Sequence, residues 1–148
     1  MKVWVTTMGL LLAASAHGAA QDRFVSKLTH PTGKTLVVAE GEFEARSVGS
    51  FSLRLYEAAA APDDTTFFIS GLVHARNGFV EKVILADIDG DQQQEVVVMT
   101  RSAGTGSYLS AHAFSVAKDR LIFRAVVEGL AADANAVEAL QKSSKGQE

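Results

Sequence analysis

The sequence contains no cysteine. A disulfide framework, a thiol nucleophile and a thiolate metal centre are thereby excluded, and the fold must rest on its own core. Basic residues are also scarce, with 14 Lys and Arg against 17 Asp and Glu for a formal net charge of −3. That balance argues against nucleic acid as a partner, because phosphate backbones are held by basic surfaces. The one marked apolar run, Val3 through Leu12, falls well short of the roughly 20 residues a membrane-spanning helix needs. The chain has no internal repeat and no low-complexity segment.

The N-terminal segment has the layout of a secretory signal. Met1-Lys2 is followed by the apolar run and then by the small-residue stretch Ala13 to Ala20, which predicts cleavage before Gln21. Removal of residues 1–20 leaves 128 residues, 21–148, with 13 basic and 17 acidic side chains and a net charge of −4. This is the usual size of a single domain of about 100–150 residues. A cleavable signal with no second apolar span implies a soluble exported protein, and in a bacterium with an outer membrane the destination is the periplasm.

Strand signals recur at short intervals along the rest, at 24–28, 35–40, 42–47, 49–57, 67–75, 79–87, 95–101, 108–116 and 121–127. They predict an all-β protein, an antiparallel sandwich or barrel of about eight strands. Phe51, Leu53 and Leu55 alternate with Ser52, Arg54 and Tyr56, the period-two pattern of a strand with one face inward. Asn77-Gly78 between two apolar strands predicts a two-residue hairpin. The tail predicts a short helix over 131–142 with Val137 and Leu140 on one face and Asp133 as its cap, covering an edge or end of the sheets and fraying from Ser143.

Two segments carry candidate chemistry. In the acidic stretch 87–95, the oxygens of Asp87, Asp89, Asp91 and Glu95 recur as a hard cation such as calcium would require. The glycine falls at the fourth position and the flanks are strands, so this is no EF-hand, and aspartates equally stabilise tight turns through their own backbone. The second segment, Arg101-Ser102-Ala103-Gly104-Thr105-Gly106-Ser107-Tyr108, is long for a hairpin. Its two glycines allow protrusion or positive φ, its three hydroxyls offer compact hydrogen-bonding tips, and Tyr108 supplies an aromatic anchor. A solvated connection with no partner is the plain alternative. Gly104 and Gly106 precede a strand and not a helix, so no phosphate cradle is formed. Ser107 has no Gly-x-Ser-x-Gly elbow, and His30 and His74 adjoin turns while His112 reads as solvent-side or structural, so no catalytic constellation emerges. The residues point to a binding protein without a cofactor.

The stretches 71–73, 80–91, 95–98 and 101–111, with 38–42 and 49–56 upstream, together resemble the periplasmic inhibitors of I-type (invertebrate) lysozyme over nearly all of the exported chain. The resemblance implies an antiparallel β-sandwich and, as partner, an I-type lysozyme of a host defending itself against bacteria. It also allows a homodimer, since the family includes dimers. In that family a protruding Ser-Gly-x-Tyr loop enters the lysozyme cleft. The matching positions here are Thr105, Gly106, Ser107 and Tyr108, flanked by Arg101, Ser102 and Gly104, with threonine in place of the usual serine. Arg101 lies close enough in sequence to pair with a carboxylate of the enzyme. Gln92 stands where the resemblance would place a glycine.

Overall fold

A computed structural model describes residues 22–145; the predicted signal segment, 1–20, lies outside the described residues. Two four-stranded antiparallel sheets stack face to face. The first holds β1 (Val25–Thr29), β2 (Thr35–Glu40), β3 (Val48–Tyr56) and β4 (Phe68–Asn77). The second holds β5 (Phe79–Ala86), β6 (Glu95–Arg101), β7 (Leu109–Ala117) and β8 (Arg120–Leu130). Strand order follows chain order in both, so each sheet is a meander and the chain changes sheets between β4 and β5.

The core is built from the inward faces of both sheets. Leu36, Val38, Phe51, Leu53 and Leu55 of the first sheet meet Val80, Val96, Val98 and Phe114 of the second. The alternation read at 51–55 is therefore the packing face itself, and each such side chain contributes about 1.5–3 kcal/mol by leaving water. β6 is apolar on both faces because Val97 and Met99 pack the other way, against Ala111 and the C-terminal helix α1 (Ala136–Lys145).

Several local expectations are corrected. Residues 42–47 form no strand; they are a loop, although their alternation mimics one. Asn77-Gly78 makes no hairpin, because β4 and β5 lie in different sheets. Gly78 takes a φ of 92° while Asn77 does not turn left-handed, and the Gly78 N–H donates to Ser47 O across 2.8 Å. The helix starts at Ala136, capped by Asn135, whose side-chain oxygen accepts the Glu138 N–H at 3.2 Å. It buries Ala136 and Leu140 on the outer face of the second sheet and does not fray at Ser143, since the Ser144 hydroxyl donates to Ile88 O at 2.8 Å. His74 sits within β4 instead of beside a turn, and of the two readings of His112 the structural one holds, since it is buried between the sheets.

The antiparallel register sorts the connections to two ends of the sandwich. Val48 pairs with Asn77 and Phe79 with Arg101, so the 41–47 loop, the 77–78 turn and the 102–108 loop share one end. The acidic turn 87–94 lies at the other, with 30–34 and 118–119. No helix among the described residues is long and apolar enough to cross a membrane.

Candidate functional site

The 102–108 loop joins β6 to β7, two central strands of the second sheet whose pairing runs up to Arg101 and Leu109. Its base is closed from both sides. The Ser102 N–H donates to Tyr108 O and the Tyr108 N–H to Ser102 Oγ, each at 2.9 Å. A tight turn follows, with the Ser107 N–H donating to Gly104 O at 3.1 Å. Ser102 is thus a clasp holding the loop shut, and the exposed tip consists of Ala103, Gly104, Thr105 and Gly106.

Of the two uses predicted for the glycines, protrusion holds, since both lie in the exposed tip. Neither takes a positive φ; that conformation falls on Ser107, at 45°. A Cβ at Gly106 would lie 2.4–2.9 Å from the Tyr108 ring, whereas one at Gly104 would meet nothing. Gly106 is therefore the seat on which the half-exposed Tyr108 ring rests. The ring lies against the loop at Gly106 and still exposes more than half of the residue, so it offers a large amphipathic contact area at low entropic cost, as an aromatic anchor does.

Arg101, partly buried, turns its guanidinium onto its own chain. Its Nε and Nη2 donate to the two oxygens of Glu81, at 2.6 and 3.1 Å. Its Nη1 donates to Ser107 O at 2.8 Å and Ala132 O at 3.2 Å. The guanidinium fork thus ties the loop's return limb to β5 and to the segment after β8. Glu81 and Ala132 are remote in sequence, so this brace could not have been read from the motif.

At the opposite end, the acidic turn uses its carboxylates to bind its own backbone. Asp87 accepts the N–H groups of Gly90 and Gln92 at 2.6 and 3.0 Å, Asp89 that of Asp91, and Asp91 that of Gln93. Glu95, buried, accepts the Ile88 N–H at 3.0 Å. Asp87, Asp89 and Glu95 offer oxygens within 4.8 Å of one another, and Asp91 stands outside that group. Burial raises the Glu95 carboxyl above its ordinary range, the Ile88 N–H opposing and the neighbouring aspartates reinforcing the rise. Gln92 holds a φ of 67°, which accounts for the expectation of glycine at this position.

The sequence profile described as periplasmic lysozyme inhibitor of I-type lysozyme matches residues 22–144, taking in both sheets and nearly the whole helix. The chain belongs to that family. Two solved structures of the family's Aeromonas hydrophila member, PliI-Ah, are similar. The inhibitor alone is 41% identical with a TM-score of 0.74, over 79% of this chain and 98% of that one. The inhibitor in complex with Meretrix lusoria lysozyme is 41% identical with a TM-score of 0.73, over 80% and 95%. A search among curated proteins finds no match to this sequence. Family membership agrees with the all-β sandwich, and the loop and acidic turn both fall inside the matched region.

Proposed function

We propose that this chain inhibits an I-type lysozyme by placing the 102–108 loop in the enzyme's active-site cleft, and that it is exported to the periplasm by cleavage of residues 1–20. The observation that carries the reading is the clasped, braced loop with Tyr108 seated on Gly106, in a member of a lysozyme-inhibitor family. A lysozyme cleaves its substrate between two carboxyl groups lining a cleft. A narrow tip carrying the Thr105 hydroxyl and exposed backbone N–H groups can donate to those carboxyls and keep the glycan out. Blocking of this kind requires no chemistry by the inhibitor. The net negative charge of the exported chain speeds encounter with a cationic enzyme more than it tightens the complex.

The test is bacterial cell-wall lysis by I-type, C-type and G-type lysozymes with increasing amounts of the chain from Gln21 to Glu148. Stoichiometric loss of I-type activity is expected, and full lysis by the I-type enzyme at excess inhibitor would refute the reading. Tyr108→Ala is expected to weaken inhibition by about 2 kcal/mol or more, the loss typical of a central anchor, or some thirtyfold in the half-inhibiting concentration. Unchanged inhibition by that variant would remove the loop from the interface.

The acidic turn 87–95 supports a rival reading as an exported calcium-dependent or carbohydrate-binding β-module, because three of its carboxylates converge. Its position at the far end of the sandwich from the loop makes the two separable. Inhibition in excess chelator is expected to equal that in added calcium, with the same melting temperature in both. A calcium-linked rise in melting temperature would give the turn a ligand.

A further inference from the structure

One apolar side chain on this surface is displayed to a degree that packing alone does not explain. Phe43 is fully exposed, at 101% of its reference area, and holds a φ of 61°. That left-handed conformation is unfavourable for a bulky L-residue, and strain of this kind persists where the surroundings over-determine it.

The surroundings do so here. The Glu44 carboxylate accepts the Ser50 N–H at 2.5 Å and the Ser50 hydroxyl at 2.7 Å. These bonds, with Arg76 and Arg23 nearby, hold the Glu44 carboxyl below its ordinary range. Arg76 is buried and donates to Ala45 O and Arg46 O at 3.0 Å each, while Arg23 donates to Glu44 O. The residues that follow Phe43 are thus fixed on three successive carbonyls, and the phenyl ring is presented from a rigid base.

The same base reaches the lysozyme-binding loop proposed above. The Arg46 guanidinium lies 5.1 Å from the centre of the Phe79 ring, and Phe79 pairs with Arg101. A Cβ at Gly78 would fall 1.9 Å from Arg101 O and 2.8 Å from the Ser102 Cα, so the 77–78 turn is packed on the root of the 102–108 loop. Phe43 and Tyr108 therefore project from one end of the sandwich, on two loops that share a buried scaffold.

We propose that Phe43 is a second anchor of the lysozyme interface, seated in an apolar depression on the enzyme beside the cleft that receives the Tyr108 loop. The inference rests on the inhibitor reading, and its occupant follows from continuity with that interface. A fixed aromatic gains contact area while giving up little freedom on binding. It would add specificity among lysozymes, because the surface beside a cleft is less constrained by catalysis than the cleft itself.

The test compares the exported chain with Phe43→Gly, Phe43→Trp and Tyr108→Ala in I-type lysozyme inhibition, melting temperature and sedimentation. Phe43→Gly removes the ring and relieves the positive φ together. It is expected to raise the half-inhibiting concentration about tenfold with a melting temperature unchanged or higher, while Phe43→Trp inhibits like the parent. Parental inhibition by Phe43→Gly beside a weakened Tyr108→Ala would overturn the proposal and spare the inhibitor reading. A change in self-association with inhibition intact would assign Phe43 to a second copy instead, and a fall in melting temperature matching the lost inhibition would make it structural. A parent that inhibits no I-type lysozyme would overturn both.

Discussion

Arg76→Ala is expected to destabilise the protein by about 3 kcal/mol or more, the level seen when one partner of a buried, hydrogen-bonded charge is removed. Arg76 is 2% exposed, and its guanidinium donates to the backbone oxygens of Ala45, Arg46, Ser50 and Gly78, with Glu44 3.6 Å away as counter-charge. Truncation would leave those carbonyls facing a void instead of a donor. Among the described residues, Ser50 O has a second partner, the Gly41 N–H at 3.0 Å. Arg76→Lys should recover only part of the loss, because an ammonium cannot reproduce a planar fork spanning four acceptors. Urea unfolding at neutral pH measures both variants, and a loss below about 1 kcal/mol for Arg76→Ala would mean that water replaces the guanidinium at little expense. The consequence extends to function, since Arg76 holds together the 41–47 loop and the turn on which the root of the 102–108 loop rests. Inhibition should weaken in this variant even where the chain remains folded.

The contrast between Arg76 and the strands around it explains how far the sequence was legible. β2 and β6 were predicted to the residue, because their apolar side chains alternate or run unbroken and their ends coincide with turn formers. Alternation reports a local fact, the side of the pleat on which each residue falls, and it survives whatever the rest of the chain does. It misled at 42–47, where Phe43 and Ala45 alternate with Glu44 and Arg46 in a segment that Glu44 and Arg76 fold into a loop. Asn77-Gly78 likewise announced a reversal without revealing that β4 and β5 part company there. Buried charge is the common cause. Glu40 is 4% exposed and bridges the sheets by accepting the Val80 N–H at 2.6 Å, while also accepting from Arg46 at 3.2 Å. Nothing in its neighbours separates such a residue from a solvated one. The candidate site divides in the same way. The loop itself was visible in its length, its glycines and hydroxyls, and in its resemblance to a family motif. The roles of Ser102 as clasp, Gly106 as seat and Arg101 as brace depend on partners that only the fold brings near.

Mild acid is expected to destabilise the protein through histidines that must stay neutral. His112 is 4% exposed, and neither of its ring nitrogens has a hydrogen-bond partner among the described residues. Its ring packs edge-on against Phe51 and His74, with centroids 5.6 and 4.9 Å away, while His74 stacks on Phe123 at 5.0 Å. Burial, reinforced by His74, pushes the His112 pKa down to about 4, and burial also lowers that of His74 against the pull of Glu128. A folded-state pKa below the unfolded value near 6.5 means that the unfolded chain binds more protons below that pH. Stability is therefore full above pH 6.5 and falls as the pH drops towards 4, by about 2 kcal/mol at pH 5 from His112 alone. Carboxylates such as Glu44 add to the loss only lower, as the pH falls through their own range. His112→Leu should flatten the profile between pH 7 and 5 with little penalty at pH 7, since it removes two unpartnered polar atoms from an apolar site. Urea midpoints across that range decide the matter, and an equal slope in parent and variant would exonerate His112. His74 and His112 lie between the sheets, and neither belongs to the inhibitory loop. Loss of inhibition in acid should accordingly track unfolding and reverse on neutralisation, whereas loss with the fold intact would place the titrating group at the interface or on the enzyme.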